Sequence, residues 1–412
     1  MDLSKSKALY QRALEIVPNG TNTNAKRVDL FLGPDFYPAY IERAKGAYLW
    51  DLDGNRYIDY VASLAPINIG YNNERIKKRI VRQLEKGSIF SMPGANEVEL
   101  SELLIEKIPC AQMVRLMKTG AEVTSAAIRA ARAFTGKEMV LSHGYHGWHD
   151  WWAAKVGQKG IPHCYGELIR DFAFNDFAAL EKLVDQYEGR IAAIILTPAE
   201  YGLEPKDGFL QKIRTLCDAK GIVLIYDEII TGFRWALGGA QEKYAVAPDL
   251  AAFAKGIANG MPVAALVGKK EIMSVLRDTL VTSTFASEAL SIEAAIEAIH
   301  IIEEENIIDR LYAITNQLRA GLQEISEHHK VPLNLFDPTP GFKFEFQIDD
   351  AEKKEQFSAE FMKYSTAHGI LIRKYGTEIV LCPIAATSDE DIEQTLDVFD
   401  KAVGHAKQSV NF

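Results

Sequence analysis

Apolar residues in the first 17 positions, MDLSKSKALYQRALEIV, recur at helical spacing and predict an amphipathic N-terminal helix. Loop signals follow at Pro18-Asn19-Gly20-Thr21-Asn22 and Leu32-Gly33-Pro34. The run 47–60 holds two aromatic-rich strand candidates around Asp53-Gly54, a hairpin signal. From about residue 95 the pattern becomes alternating strand and helix. Residues 114–117 and 139–142 read as strands with a helix over 121–134 between them. Residues 191–196 and 222–226 are continuous apolar runs, as strands buried on both faces require, and 208–220 between them is helical by period. Residues 250–254 and 263–267 supply more strand. This alternation predicts an α/β fold, a mostly parallel sheet flanked by helices, in a large domain over 61–305. After about residue 307 the character changes. A long amphipathic helix (309–327), an antiparallel stretch (331–347) and a closing helix (385–407) predict a smaller α+β domain over 306–412, to which the N-terminal segment 1–60 is expected to contribute.

Composition narrows the class without naming a function. The 412 residues are 48% hydrophobic and 25% charged, which excludes a disordered, collagen-like or coiled-coil chain. The 46 Lys+Arg against 56 Asp+Glu give a net charge of -10, and no Lys/Arg-rich stripe offers a nucleic acid its positive footprint. The charge runs 303–305 and 349–355 read as solvated helix ends or loops. No apolar run approaches the roughly 18 residues that would span a bilayer. The N-terminus lacks the apolar core of a secretory signal, so no membrane partner and a cytoplasmic location are expected. Cys110, Cys164, Cys217 and Cys382 are scattered with no CxxC pair, which favours free, mostly buried thiols over disulfides or a zinc site.

Candidate chemistry sits where the predicted strands end, the place where open α/β sheets bind ligands. Asp227 and Glu228 end the strand 222–226. Lys255 ends the run 251–254, ahead of Asn259-Gly260-Met261-Pro262. Thr119-Gly120-Ala121 joins strand to helix, and His143-Gly144-Tyr145-His146-Gly147 follows another strand. The Thr119 turn combines backbone N–H groups, a hydroxyl and a helix N-terminus, a set suited to phosphate. Asp227 can keep a pyridine nitrogen protonated, Lys255 can form a Schiff base, and Tyr145 offers a flat stacking face. Phosphate, pyridine and aldehyde in one ligand describe pyridoxal 5′-phosphate (PLP). Taken singly these signals are weak: a strand-end Asp-Glu can also coordinate Mg²⁺, and a lone Lys is usually a surface residue.

Order and spacing strengthen them. Asp227-Glu228-Ile229-Ile230-Thr231-Gly232-Phe233-Arg234, then Lys255 28 residues beyond Asp227, then Gly260-Met261-Pro262-Val263, resembles the class III aminotransferases of fold type I. Within that family the likeness runs most closely to glutamate-1-semialdehyde 2,1-aminomutase, through residues 48–60, VRLMKTGAEVTSAAIRAARAFTG over 114–136, and Gly144-Tyr145-His146-Gly147. The likeness spans residues 17 to about 399. It implies Lys255 as the Schiff-base lysine and proton shuttle, Asp227 at the pyridine nitrogen, and Tyr145 stacked on the ring with His146 beside it. It also implies Thr119, Gly120 and Ala121 on the phosphate. Thr284 matches a threonine that reaches the partner subunit's phosphate, which implies a homodimer with a shared active site.

Departures from the family pattern fall on the substrate side. The usual Glu-Pro after Ile195 is Thr197-Pro198. The arginine that in many members grips an α-carboxylate is absent from Ile379-Val380-Leu381-Cys382-Pro383, where the chain has Val380. The aminomutase's substrate arginine falls on Lys26, beside Arg27. Its pocket tryptophan falls on Leu64, and its Ser-Gly-Thr is Thr119-Gly120-Ala121. These changes imply an aminotransferase working by ping-pong chemistry between a small amino-acid donor and a carbonyl acceptor such as an aldehyde, keto-sugar or ω-keto compound. The alternatives are intramolecular amino transfer of the aminomutase type and a catalytically silent binding subunit. Trp148, with Trp151 and Trp152, can line a substrate mouth or pack a loop. His143, His146 and His149 are separated by glycines, so structural or ring-side roles outweigh a metal site. Arg234 reads as a structural ion pair rather than a substrate contact.

Overall fold

A computed structural model describes residues 1–410, which divide into two compact units. One comprises Glu74–Glu200 and Glu204–Glu305, the other Met1–Asn73, Tyr201–Leu203 and Asn306–Phe412. Positions 411 and 412, the end of the predicted smaller domain, lie outside the described residues.

The larger unit holds a seven-stranded sheet. In chain order its strands are β1 (Met113–Met117), β2 (Met139–His143), β3 (Ile169–Asp171), β4 (Ile191–Leu196), β5 (Val223–Asp227), β6 (Leu250–Phe253) and β7 (Ala264–Gly268). The spatial order is β1-β7-β6-β5-β4-β2-β3; all neighbours are parallel except β7, which runs antiparallel to β1 and β6. The continuous apolar runs are fully buried, as strands covered by helices on both sides demand. Helix α1 (Gly120–Thr135) packs across β4 to β7. Thr119 caps it in a reciprocal pair with Glu122, and Gly136 ends it in the left-handed conformation at φ +67°. Its alanines at 126, 127, 130 and 131 allow the close helix–sheet approach seen in the core.

The second unit is built from both chain ends. The predicted hairpin forms from Tyr48–Asp51 and Arg56–Asp59, extended by Ile41–Lys45 on one side. On the other, Ile370–Leu371 pairs with it in parallel, some 300 residues away in sequence. A second, antiparallel sheet orders Leu333–Leu335, Phe342–Phe346, Glu378–Leu381 and Arg373–Tyr375. Helices Ile307–His329, Ala351–Ala367 and Asp389–Ser409 accompany it around Phe342, Phe344, Phe357, Phe361 and Phe399. The acidic run expected to be a helix end or loop begins the helix Ala351–Ala367, capped by Asp350.

The N-terminal part extends past residue 60, where the sequence pattern suggested a break. Tyr60 O accepts from Cys382 N at 2.7 Å, Asn68 O accepts from Ala385 N at 2.8 Å, and Gly46 and Tyr71 exchange backbone bonds. Residues 61–73 thus share their hydrogen bonds with this unit. Cys110, Cys217 and Cys382 are buried free thiols, and Cys164 is exposed. No described helix is long and apolar enough to cross a membrane.

Candidate active site

Asp227 and Lys255 rise from adjacent parallel strands, with Asp227 opposite Ala252 in the β5–β6 register. Asp227, 4% exposed, accepts the Ile229 N–H on Oδ1 (3.1 Å) and pairs its Oδ2 with His146 Nδ1 (2.7 Å). His146 is buried, its ring stacked nearly parallel to that of Trp151 with centroids 6.2 Å apart, and its Nε2 has no partner among the described residues. An imidazole with Nδ1 committed to a carboxylate holds that carboxylate in one orientation. Lys255 follows β6 after Ala254 and is half-buried at φ +48°, a left-handed conformation costly for any residue with a Cβ.

The Thr119 turn opens α1. Glu122 accepts the N–H groups of Lys118 (3.0 Å) and Thr119 (2.9 Å), while Thr119 Oγ1 accepts from Glu122 N. The N–H groups of Gly120 and Ala121 make no hydrogen bond among the described residues. They point from the positive end of a 16-residue helix, beside a hydroxyl whose proton is free to donate. A Cβ on Gly120 would meet Ile229 Cδ1 at 2.8 Å, which ties this turn to the segment that follows Asp227.

The Gly144–Gly147 loop is threaded between these parts, and its two glycines are required. Gly144 has φ +97° and a Cβ there would meet Thr197 Oγ1 at 2.6 Å; Gly147 has φ +107° and its Cβ would meet Ala121 Cβ at 2.7 Å. The His146 carbonyl accepts from Thr124 Oγ1 on α1 (2.7 Å), and Gly144 O accepts from Trp152 Nε1 (3.1 Å) and Lys155 Nζ (3.3 Å). Tyr145 is 65% exposed, edge-on to Trp152 at 4.8 Å. Partial burial and the Asp227 charge raise its phenol above the ordinary value.

His143 and His149 do not join His146 as ligands. Burial pushes His143 down, its Nδ1 lies 3.3 Å from Phe172 O, and its Nε2 is 3.8 Å from Glu200. His149 Nδ1 bonds Ser125 Oγ (2.7 Å), which also accepts from Trp151 Nε1 (2.9 Å). Trp148 and Thr284 are exposed, Thr284 opening the turn Thr284–Ser287, and no described hydrogen bond links either to the cofactor residues. Lys26, Arg27 and Leu64 belong to the other unit. Exposed Lys26 donates to Ser63 Oγ (3.3 Å), Arg27 pairs with Asp29 (2.6 Å), and Leu64 lies in a left-handed turn at φ +72°.

Of the two roles open to Trp151 and Trp152, both hold the loop, through Ser125 Oγ and Gly144 O; sequence reasoning missed Ser125 and Lys155, which share that work. Glu228, singled out with Asp227, is turned the opposite way. Its buried carboxylate accepts from the Thr231 hydroxyl and the N–H groups of Ala240 (2.8 Å) and Gln241 (2.9 Å), and burial pushes it up to about 7. It organises the loop that carries buried Arg234 and Trp235.

The assembled donors fit a ligand with a dianionic group at one end and a ring nitrogen at the other. Open N–H groups at a helix N-terminus face one need, and a buried carboxylate fixed by two donors faces the other. A lysine and an aromatic ring complete the set.

Comparison with known proteins agrees with that chemistry. The sequence pattern of the family described as Aminotransferase class-III matches residues 33–403. A 3-aminobutyryl-CoA aminotransferase of Cloacimonas acidaminovorans is 35% identical over 416 residues, covering 99% of each chain. The FumI protein of Sphingopyxis sp. MTA144, solved in its PLP internal aldimine form, superposes with a TM-score of 0.91 at 28% identity, covering 98% of this chain and 97% of that one. An omega-transaminase of Sphaerobacter thermophilus superposes with a TM-score of 0.87 at 29% identity, covering 98% of each.

Proposed function

The chain belongs to the class III aminotransferases, PLP-dependent enzymes of fold type I, and from that premise we propose that it moves an amino group from an amino-acid donor to the 3-oxo carbon of an acyl thioester, by ping-pong chemistry. Bound PLP supplies an aldehyde for Schiff-base formation and an electron-withdrawing ring. The chain supplies the rest. Lys255 Nζ is the Schiff-base amine, and it takes and returns the proton at the substrate's amine-bearing carbon. The Asp227 carboxylate, oriented by His146, would keep the proton on the ring nitrogen. Thr119 Oγ1 and the N–H groups of Gly120 and Ala121 hold the phosphate, and Tyr145 covers one ring face. Thr284, exposed on its turn, reaches the phosphate of a second copy, so the active unit is a homodimer. Lys26, Arg27, Leu64 and Trp148 are the residues we assign to substrate contact.

One observation carries the choice of acceptor: Ile379-Val380-Leu381-Cys382-Pro383 offers no cation for an α-carboxylate. Val380 is buried in its strand, Cys382 is buried against the Tyr201 hydroxyl at 3.2 Å, and the neighbouring Arg373 lies over the Tyr375 ring at 4.3 Å. A pocket without that clamp favours a carbonyl remote from any free carboxylate, as in a thioester. The 3-aminobutyryl-CoA aminotransferase relative supports the 3-position.

The test uses two half-reactions. Holoenzyme given L-glutamate or L-alanine alone should release one equivalent of the 2-oxo acid per site, and 3-oxobutyryl-CoA added next should yield 3-aminobutyryl-CoA. Amination of aldehydes with 3-oxobutyryl-CoA refused removes the thioester assignment. Failure of both donors to release a 2-oxo acid, with isomerisation of a single amino-carbonyl substrate, would establish the aminomutase reading instead.

A further inference from the structure

The last turn of the helix Ile307–His329 sets two imidazoles against one carboxylate of the helix Asp389–Ser409. His328 Nδ1 lies 3.0 Å from Asp400 Oδ1, and His329 Nε2 lies 2.9 Å from the same oxygen. One ligating atom from each of the three residues lies within 4.8 Å of the other two. All three belong to the second unit, and none has a part in the chemistry assigned to Lys255 and Asp227.

Two features show that this convergence is built. Consecutive helix residues point about 100° apart, so their side chains do not ordinarily meet on one partner. Here the His328 and His329 rings come to 4.6 Å between centroids, at the place where the helix stops. Lys330 closes it at φ +55°, its N–H bonded to the Ser326 and Glu327 carbonyls, and Ser326 Oγ donates to Val331 O at 2.7 Å. The second feature is a glycine inside a helix, a position that gives up stability against alanine. Gly404 lies one turn beyond Asp400, and a Cβ there would meet His329 Cε1 at 3.3 Å, closer than ordinary carbon contacts of roughly 3.5–4.0 Å. The glycine keeps the seat of the imidazole open. The nearby lysines are directed elsewhere: Lys401 pairs with Asp397, and Lys407 donates to the His329 carbonyl, each at 2.7 Å.

We propose that His328, His329 and Asp400 bind a divalent transition-metal ion of the zinc type, which clips the two helices together. Two imidazole nitrogens and a carboxylate oxygen suit Zn²⁺, whereas Mg²⁺ and Ca²⁺ take oxygen ligands. Ligand atoms on a tetrahedral zinc stand roughly 3.3 Å apart, so each side chain need move by only about 1 Å. The ion takes the lone pair of each nitrogen that faces Asp400, and the proton of each neutral ring resides on its other nitrogen. His329 is half-buried and His328 exposed, so water completes the coordination on the open side. The two helices share the core around Leu322, Ile325, Phe399 and Ala402, and an ion bound across their surface favours the folded state.

Tag-free holoenzyme, cleared of metal with EDTA and then freed of the chelator, is titrated with Zn²⁺ alone against a chromophoric competitor. One Zn²⁺ should bind per chain, and the melting temperature should rise with Zn²⁺ but not with Mg²⁺ or Ca²⁺. His329→Gln and Asp400→Asn should each weaken Zn²⁺ binding about tenfold or more and lose that rise, with PLP content unchanged. Cys164 is the exposed thiol that could capture zinc by itself, so Cys164→Ser should bind Zn²⁺ as the wild type does. No uptake by the wild type at about 100 μM free Zn²⁺ overturns the proposal. Uptake that survives both ligand substitutions, or that is lost in Cys164→Ser, overturns it as well. A His329→Gln chain that melts lower in EDTA yet keeps its Zn²⁺ reduces the cluster to a hydrogen-bonded clasp and removes the ion.

Discussion

Gly147→Ala is the sharpest perturbation of the cofactor residues, because its magnitude follows from two separate terms. The first is conformational: at φ +107° a Cβ strains the backbone by about 1–2 kcal/mol. The second is overlap. The new methyl would lie 2.7 Å from Ala121 Cβ and 2.8 Å from Ala121 Cα, against ordinary carbon contacts of roughly 3.5–4.0 Å. Neither neighbour is the flexible end of a side chain. Ala121 is fixed in the first turn of α1, so the loop and the helix start must part by about 1 Å, at about 1–3 kcal/mol. The sum, about 2–5 kcal/mol, falls beside the Ala121 N–H that we propose for the phosphate. With half of it expressed in the holoenzyme, PLP affinity drops about five- to seventyfold. The assay strips the cofactor, titrates PLP back while following emission from the loop tryptophans, and compares melts with and without PLP. Gly136→Ala is the control: its φ is +67° but nothing lies within 4 Å of the added methyl, so it carries the conformational term alone. Wild-type PLP affinity in Gly147→Ala, or equal losses in both variants, would refute the close approach of loop and phosphate turn.

Lys255→Ala should abolish covalent capture: borohydride reduction of the wild type adds the mass of the reduced cofactor to the peptide containing Lys255, and the variant should gain none. Glu228→Ala removes the acceptor for the Thr231 hydroxyl and the Ala240 and Gln241 N–H groups, costing about 2–4 kcal/mol of stability. Thermal melts should show that loss while Lys255 still captures the cofactor; an unshifted melt would contradict the burial. For Asp59, burial raises the folded carboxyl from 3.8 to about 6, and the charged or titratable groups facing it are Tyr71, Tyr37 and Lys26. The folded state binds the proton more tightly, so the stability this group contributes is complete below the unfolded value and lost as pH rises through about 6. Melts between about pH 4 and 7 should therefore converge on or cross those of Asp59→Asn, which cannot titrate, and strictly parallel curves would reject the raised carboxyl.

The strands of the larger unit were legible because burial on both faces writes itself as continuous apolar sequence. The placement of Asp227 and Lys255 at the ends of adjacent strands was legible for a related reason, since a parallel sheet gathers the residues that follow its strands along one edge. What surrounds them was not. His146 reaches Asp227 across 81 residues, and Ser125 meets His149 across 24; neither pairing has a local signature. Glu228 reads as half of an acidic pair, yet successive strand residues face opposite ways. That alternation was the available signal that only one of the two could enter the site. In the second unit, Gly202 N bonds Thr339 Oγ1 and Tyr201 OH meets Cys382. Three residues in the middle of the chain therefore belong with its ends, which no window of sequence displays.

The distribution of strain makes a separate case for which residues are functional. Among the described residues 15 non-glycine positions have positive φ, and six are Asn or Asp, which tolerate it. Ala245 and Lys330 end helical segments. What remains is Lys255, the run 62–65, Phe233 behind Asp227, and Leu280 ahead of Thr284. Propensity and packing would put glycine at each. A chain that keeps a bulky residue in a left-handed conformation gives up of the order of 1 kcal/mol per site, and such losses persist where the side chain's position matters more than the stability forgone. By that argument Ser63 and Leu64 stand with Lys255 as positions where the chain keeps a side chain at the expense of backbone strain.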